Sequence, residues 1–254
     1  FYGELDDLSV VDFTAALASP DPMAPPRGVP PMHPSFEDRP GAPDRVFAAL
    51  DDAAFGRQVD AWSAALRAVD AVSADVLHLH HLTPIDAAAA RVAPGVPVVT
   101  RLHGTELRRL EAVDAGLRAH WPHAGRWAER LRDWAARSSR LVVATPGGRD
   151  RARSVLGVPP DRLEVVPNGV DATRFSPAPV DRDETWRRVL ADDPLGWRPG
   201  HPPGSWRATP AAVDAVARGV TFLYVGRFTE VKRVPLLIEA FAGARARLGD
   251  AISL

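Results

Sequence analysis

The strongest constraint on the fold of this chain is an alternation of short apolar runs with segments of helical periodicity. The apolar runs are four to seven residues long, which is the usual length of strands in a sheet. They predict strands at residues 75–80, 96–102, 140–144 and 163–166. Because strands that alternate with helices form parallel sheets, we expect an α/β protein with a doubly wound, Rossmann-like sheet.

Helices are predicted between these strands, where apolar side chains recur three or four positions apart. They cover residues 8–18, 51–72 and 121–139. Two Thr-Pro pairs, at 83–84 and 145–146, indicate further helix starts, because Thr caps a helix and Pro fits its first position. The first of these helices ends at the Pro-Gly pair that follows residue 92.

A second α/β unit begins near residue 219. It is predicted to contain a strand at 220–226, a helix at 234–248 and a further strand that starts at residue 251. The sequence therefore predicts three segments, which are an N-terminal Rossmann-like domain, a Pro-rich and Trp-rich linker or insertion, and the beginning of an incomplete second Rossmann-like domain. Their expected bounds are 1–176, 177–218 and 219–254.

Composition limits the possible functions. The formal net charge is -1, and no basic stripe is present, which argues against a nucleic-acid partner. The absence of cysteine excludes disulfides, thiolate zinc sites and cysteine nucleophiles. No apolar run reaches about 18 residues, so we expect no transmembrane segment. A cytoplasmic location is expected, and peripheral association with the inner membrane face stays open.

The sheet edge is the first candidate for a functional site, because ligands of open α/β sheets bind at the carboxyl ends of the strands. The residues that fall at or just past predicted strand ends are His80, His81, His103, Gly104 and Thr145. The tetrapeptide at 103–106, His-Gly-Thr-Glu, allows two interpretations. It is either a ligand loop, in which Gly lets the backbone approach a substrate, or a strand-end turn with a hydrogen-bonded histidine.

Two later segments have the same ambiguity. Residues 167–171, Pro-Asn-Gly-Val-Asp, predict a tight turn on propensity alone. Residues 225–233 contain Gly226, Arg227 and Lys232 between a strand and a helix, where cations and free backbone amides make an anion site. The alternative is a solvated charged loop. Of the 31 basic residues Lys232 is the only lysine, which hints that a compact ammonium is needed there.

In order and spacing, these three segments and the strand at 75–80 resemble the retaining GT-B glycosyltransferases related to sucrose-phosphate synthase and the bacterial mannosyltransferases, the family 4-like, group 1 enzymes. The resemblance extends from about residue 75 to residue 248. It implies a fold of two Rossmann-like domains and the transfer of a hexose from a nucleotide-diphosphate sugar to an acceptor with retention of configuration. It also implies that no cofactor or metal is bound, the nucleotide sugar being a co-substrate.

The resemblance implies roles for individual residues. His103 corresponds to the catalytic histidine near the transferred sugar, and Arg227 and Lys232, after Gly226, to the pair that holds the donor diphosphate. The residues that the resemblance places in the cleft or near the acceptor are His80, His81, Gly104, Glu106, Asn168 and Asp171. The acceptor is an unidentified sugar, lipid or small molecule. The acidic pair of this family, which holds the donor sugar, is not found in the sequence.

Three other functions are alternatives to a glycosyltransferase. A metal site formed by histidines at 78, 80, 81 and 103 is disfavoured, because no nearby carboxylate completes a ligand set. A nicotinamide-dependent oxidoreductase is disfavoured because no Gly-x-Gly-x-x-Gly follows a predicted strand. A catalytically incomplete fragment that acts only as a binding module remains the stronger alternative.

Overall fold

The computed structural model describes residues 14–37, 41–226, 228 and 232–254. Contacts between Cα atoms divide the chain into two compact units, Phe1–Gly169 and Val170–Leu254. Each unit contains a parallel sheet of its own. The domain bounds that the sequence predicts, at residues 176 and 219, stay predictions.

The sheet of the first unit has four parallel strands in chain order. They are β1 (Leu77–His80), β2 (Val98–Arg101), β3 (Arg140–Val143) and β4 (Leu163–Val165). Leu77 lies opposite Val98, and Thr100 lies opposite Leu141. Every strand falls within its predicted range, and the parallel pairing confirms the predicted α/β class.

Six helices are described in the first unit. They are α1 (Thr14–Leu17), α2 (Asp52–Ala68), α3 (Pro84–Val92), α4 (Thr105–Asp114), α5 (Ala124–Arg137) and α6 (Pro146–Leu156). Both Thr-Pro pairs begin a helix as predicted, and the Thr145 hydroxyl accepts a hydrogen bond from the backbone N–H of Gly148 at 3.0 Å. The sequence analysis missed α4. Residues 8–13, the start of the predicted first helix, lie outside the described residues.

Helix α5 shows how the core is assembled. Its buried residues share one face, because they recur at intervals of three or four along the helix. They are Trp127, Ala128, Leu131, Trp134 and Ala135. This face packs with Leu141 and Val143 of β3 into one hydrophobic core. A second core, formed mainly by α2, α3 and β1, includes Val59, Leu79 and Ala88.

Side chains of the strands alternate in their burial. Leu79, Leu141 and Val143 are buried, whereas His78 and His80 are exposed. Successive side chains of a strand point to opposite faces, so the two exposed histidines of β1 share one face of the sheet. The parallel strands also place the residues that follow β1 and β2 at one common edge.

Among its described residues, the second unit contains three α-helices and two short strands. They are α7 (Arg182–Arg187), α8 (Pro210–Arg218), β5 (Val220–Thr221), α9 (Val234–Leu248) and β6 (Ile252–Ser253). The strands are parallel, which confirms the predicted strand-helix-strand order. The predicted strand at 220–226 is too long. Pairing is needed for a strand, and among the described residues β6 offers only two partners.

Within the described parts of the chain, no helix is both long enough and apolar enough to cross a membrane.

Candidate functional site

The chain leaves β1 through a strained residue. His81 follows β1 directly and has a φ of +63°, in the left-handed region that non-glycine residues seldom adopt. Its backbone N–H donates to the carbonyl of Arg101 at 2.9 Å, so the pairing with β2 continues one residue past β1. This turn places the His81 side chain at the carboxyl edge of the sheet.

The chain leaves β2 through a glycine that begins a helix. Gly104 has a φ of +79° and is the N-cap of α4, which starts at Thr105. Only glycine adopts such a backbone conformation without strain. The motif at 103–106 is therefore the junction of a strand and a helix. The sequence analysis considered a ligand loop and a turn, and it did not predict that a helix begins there.

Three imidazoles meet at this edge. Nδ1 of His80 lies 2.9 Å from Nε2 of His103, within hydrogen-bond distance. The ring of His81 lies 4.3 Å from that of His103, measured between centroids. Burial lowers the pKa of His80 below its usual value, and His78 and His81 lower it further. Burial also lowers the pKa of His103, with His81 adding to the shift.

Because one nitrogen of a His–His hydrogen bond must donate and the other accept, each ring needs only one proton to make this contact. The lowered pKa values favour these neutral forms near pH 7. The contact occupies Nε2 of His103 and leaves its Nδ1 available to a ligand. The pair can thus offer a hydrogen-bond donor or acceptor to a substrate without carrying a charge.

Glu106 is one of the residues that the resemblance places in the cleft or near the acceptor. Its side chain is completely buried, with a relative exposure of 0%. Nδ1 of His81 lies 2.6 Å from its Oε1 atom, and the backbone N–H of His103 donates to the same oxygen at 3.4 Å. A carboxylate is seldom buried without such partners. Glu106 therefore lies behind the imidazoles and contacts two of them.

Arg101 joins the ends of β2 and β4. Its guanidinium donates to the side-chain oxygen of Asn168 at 2.6 Å and to the carbonyl of Val166 at 3.1 Å. This contact holds Asn168 at the same sheet edge as His103, and its role in binding a ligand stays a prediction. Arg101 itself was missed. No signal in the sequence links it to a residue 67 positions away.

Two clefts open at this edge of the first unit. The first, which we call the arginine cleft, has a volume of about 380 Å³ and lies between the N-termini of α4 and α6. Its polar lining residues are Arg101, His103, Thr145, Arg151 and Asn168. Arg151 is engaged by Glu111, which accepts from its Nε at 2.6 Å. Gly104 and Gly147, where an added Cβ would meet nothing within 4 Å, leave space for a ligand to approach the backbone.

The second, the aromatic cleft, has a volume of about 470 Å³ and lies beside β1. Its aromatic and imidazole lining residues are His33, Phe36, Trp62, His78, His80 and His81. The sequence analysis missed His33, Phe36 and Trp62, because a proline-rich segment and one helix face give no indication that they meet. His80 lines this cleft and its partner His103 lines the arginine cleft, so their hydrogen bond connects the two.

The four histidines weighed as metal ligands do not form a metal site. Among the residues that the structure describes, no group of three or more His, Asp or Glu side chains is arranged to hold an ion. Nitrogen atoms of His80 and His103 face each other, and Nδ1 of His81 faces Glu106. One ring nitrogen of each of these three histidines is thus turned toward a protein partner.

Asp171 lies in the second unit and makes local contacts. Its carboxylate accepts from the Thr173 hydroxyl at 2.6 Å and from the backbone N–H groups of Thr173 and Arg174. These hydrogen bonds, led by that of Thr173, lower its pKa below the ordinary value. Asp171 therefore stabilises the turn that follows Asn168, and its contact with a ligand stays a prediction.

The predicted diphosphate loop is described in part. Lys232 is exposed, and α9 begins two residues later at Val234, as predicted. Gly226 is exposed, and a Cβ atom at this position would lie 2.7 Å from the Tyr224 hydroxyl. Gly226 does not end β5, which stops at Thr221. Arg227 lies outside the described residues, so its role stays a prediction.

Comparison with known proteins identifies the family of this chain. The model of Glycosyltransferase Family 4 matches residues 17–174, which is more than half of the chain. The match covers both clefts, His80, His81, His103 and Glu106. No curated protein matches the chain significantly.

Proposed function

The chain belongs to Glycosyltransferase Family 4, and from this premise we propose that it transfers a hexose from a nucleotide-diphosphate sugar to an acceptor with retention of configuration. Family membership supports a transferase with a donor and an acceptor substrate. The resemblance of the motifs to sucrose-phosphate synthase and the mannosyltransferases supports the finer choices of nucleotide sugar and retention. The proposed location is cytoplasmic.

The observation that carries this proposal is the position of the His80–His103 pair between the two clefts. A transferase must bring a donor sugar and an acceptor hydroxyl together at one point. His103 lines the arginine cleft, and its partner His80 lines the aromatic cleft. We assign the arginine cleft to the transferred sugar and the aromatic cleft to the acceptor.

His103 is the proposed catalytic residue. Its Nδ1 atom is left for the substrate by the bond between Nε2 and His80. Positioned hydrogen bonds of this kind accelerate a reaction when they strengthen as charge develops in the transition state. Gly104 supports this position, because its conformation turns the backbone away from the sugar directly after His103.

Lys232, Gly226 and Arg227 are the proposed binding site for the donor diphosphate. Breaking the bond between the sugar and the phosphate leaves additional negative charge on the diphosphate. An ammonium group near the N-terminus of α9 would stabilise that charge, as would the free N–H groups of the helix. Neither a metal nor a cofactor is required in this scheme.

The experiment uses the protein encoded by the longest reading frame that contains this sequence. It is incubated with a panel of nucleoside-diphosphate hexoses and pooled sugar, polyol and lipid acceptors. We expect release of nucleoside diphosphate and a glycosylated product with the anomeric configuration of the donor. Binding of substrates without any release would instead support the binding module, and an inverted product would contradict retention.

A further inference from the structure

The hydrogen bond between His81 and Glu106 has a defined direction. Nδ1 of His81 lies 2.6 Å from Oε1 of Glu106. The same oxygen accepts a second N–H, from the backbone of His103, at 3.4 Å. The oxygen of an ionised carboxylate carries no hydrogen, so Oε1 acts as an acceptor toward both nitrogen atoms. The proton of the shorter bond therefore belongs to Nδ1 of His81.

In the neutral form of the ring, this direction leaves the other ring nitrogen of His81 without a proton. A neutral imidazole has one N–H, and here Nδ1 carries it, so Nε2 is a hydrogen-bond acceptor. Within the described part of the chain, Nε2 has no hydrogen-bond partner. The His81 side chain is 32% exposed and lines the aromatic cleft. The cleft thus contains one ring that is prepared to accept a hydrogen bond.

The ring is held from three directions. The strained backbone of His81, with φ at +63°, is fixed by its N–H bond to Arg101. The rings of Phe36 and His103 lie 5.1 and 4.3 Å from that of His81. A left-handed conformation is unfavourable at a non-glycine residue and persists only where its surroundings impose it. The orientation of His81 is therefore set by the fold.

We infer that Glu106 is a positioning residue, which holds His81 in the Nδ1–H tautomer so that Nε2 accepts the hydrogen of an acceptor hydroxyl in the aromatic cleft. The identity of the ligand as the acceptor rests on the proposed function. The tautomer and the role of Glu106 in setting it rest on the contacts alone. His81 is then the residue that orients the attacking hydroxyl, and His103 acts on the sugar side.

Nuclear magnetic resonance of the chain with ¹⁵N-labelled histidine tests the tautomer directly. Two-bond correlations between ring nitrogens and carbon-bound hydrogens distinguish Nδ1–H from Nε2–H, and the His81→Gln variant assigns the signals by their loss. We expect the Nδ1–H form in the wild type at a pH where the ring is neutral. Observation of the Nε2–H form would overturn the inference.

Two substitutions test the role of Glu106. Glu106→Leu removes the acceptor, so His81 should change to a tautomer mixture dominated by Nε2–H. Glu106→Gln retains an oxygen acceptor and should retain the Nδ1–H form of His81. This second variant keeps the role of Glu106 testable if Glu106→Leu does not fold. Glu111→Gln, on the same helix but paired with Arg151, is the matched control. An unchanged tautomer in folded Glu106→Leu would contradict the positioning role.

A kinetic measurement on the longest reading frame connects the tautomer to the acceptor. Glu106→Leu should lower kcat/KM for the acceptor by about 10-fold or more, as is common when a buried partner that orients a ring nitrogen is removed. Slow hydrolysis of the donor by water should change much less. A wild type without transferase activity would contradict the proposed function and leave the tautomer result unaffected. Transfer that is normal in the Leu variant would contradict only the inference about Glu106.

Discussion

Nδ1 of His80 lies 2.9 Å from Nε2 of His103, and this contact joins the aromatic cleft to the arginine cleft. The two residues come from different strand ends, 23 positions apart in the sequence. Parallel pairing of β1 and β2 brings them together. The contact is the structural reason for assigning one cleft to each substrate.

The first prediction concerns the pH dependence of transfer. The pKa of His80 and that of His103 both lie below the ordinary histidine value of 6.5, with burial as the largest cause. The pair is therefore still mainly neutral at pH 6.5, and half-protonation of either ring requires a lower pH. We expect the acid limb of the kcat/KM profile to lie below pH 6.5 in the wild type. The pH at which this limb lies should change in His80→Gln. An acid limb above this value that is sensitive to His80 would contradict the neutral pair.

The second prediction concerns the stability of the first unit. Asp86 is buried in α3, accepts the Thr83 backbone N–H at 2.9 Å, and has a pKa raised to about 7, chiefly by burial. The folded chain therefore binds a proton that the unfolded chain releases above its ordinary pKa of 3.8. The contribution of this protonated Asp86 to the free energy of unfolding is fully present below pH 3.8, and it is lost as the pH rises toward 7.

Asp86→Asn removes this titration and retains an oxygen that accepts from Thr83. Relative to wild type, the variant should gain stability as the pH is raised from 4 to 8. The gain is at most roughly 4 kcal/mol, since each pKa unit corresponds to about 1.4 kcal/mol. Urea unfolding at several pH values measures it. Asp133→Asn, at an exposed ion pair with Arg137, is the control. Parallel curves for Asp86→Asn and wild type would show that Asp86 does not titrate in this range.

The regular elements of the first sheet could be predicted because local signals coincide there. Apolar runs predict β1 to β4, and Thr-Pro pairs predict the starts of α3 and α6. Helix α4 was missed, although Gly104 at its N-cap and the Leu107–Leu110 spacing are helix signals. Its sequence, rich in Glu and Arg, was treated as part of a loop between two strands. In the structure Leu107 and Leu110 are fully buried and fix the helix against the core.

The candidate site was predictable only in part. His80, His81 and His103 lie at or just past strand ends, so the general rule for ligand sites in α/β sheets indicates them, whereas Asn168 and Glu106 were indicated only by the family resemblance. The burial of Glu106 could not be predicted, because it depends on a contact with His81, which lies 25 positions away. Trp62 and Arg101 became candidates only when distant segments were seen to line the same clefts. Contacts of this kind depend on tertiary packing and leave no periodic pattern.

The third prediction concerns Lys232 and the donor diphosphate. Lys232→Ala should weaken nucleoside-diphosphate binding and lower turnover by about 30- to 1000-fold, or roughly 2 to 4 kcal/mol, while acceptor affinity stays unchanged. Calorimetric titration measures the affinity. Arg247→Ala, which removes a cation from the last turn of the same helix, is the matched control. Equal affinity and turnover in wild type and Lys232→Ala would show that Lys232 belongs to a solvated charged loop and does not bind the diphosphate.

The single lysine of this chain allows an independent check of that site. An amine-selective acylating reagent can modify Lys232 and otherwise only an α-amino group. Bound nucleoside diphosphate should protect Lys232 from modification, as followed by peptide mass spectrometry, and free phosphate at the same concentration should protect it less. Equal modification rates with and without the nucleotide would contradict a direct contact.

The most direct test is the turnover of His103→Ala in the protein of the longest reading frame, compared with wild type and with Asp114→Asn, which changes an exposed ion pair with Arg132 outside both clefts. His103 is placed at the junction of the two clefts, where a group that acts mainly in the transition state contributes a factor on the order of 100 or more. We therefore expect nucleoside-diphosphate release and product formation to fall by at least that factor in His103→Ala, with donor affinity nearly unchanged. Asp114→Asn should retain wild-type turnover. Near-normal turnover of His103→Ala would contradict the assignment of this sheet edge as the catalytic site.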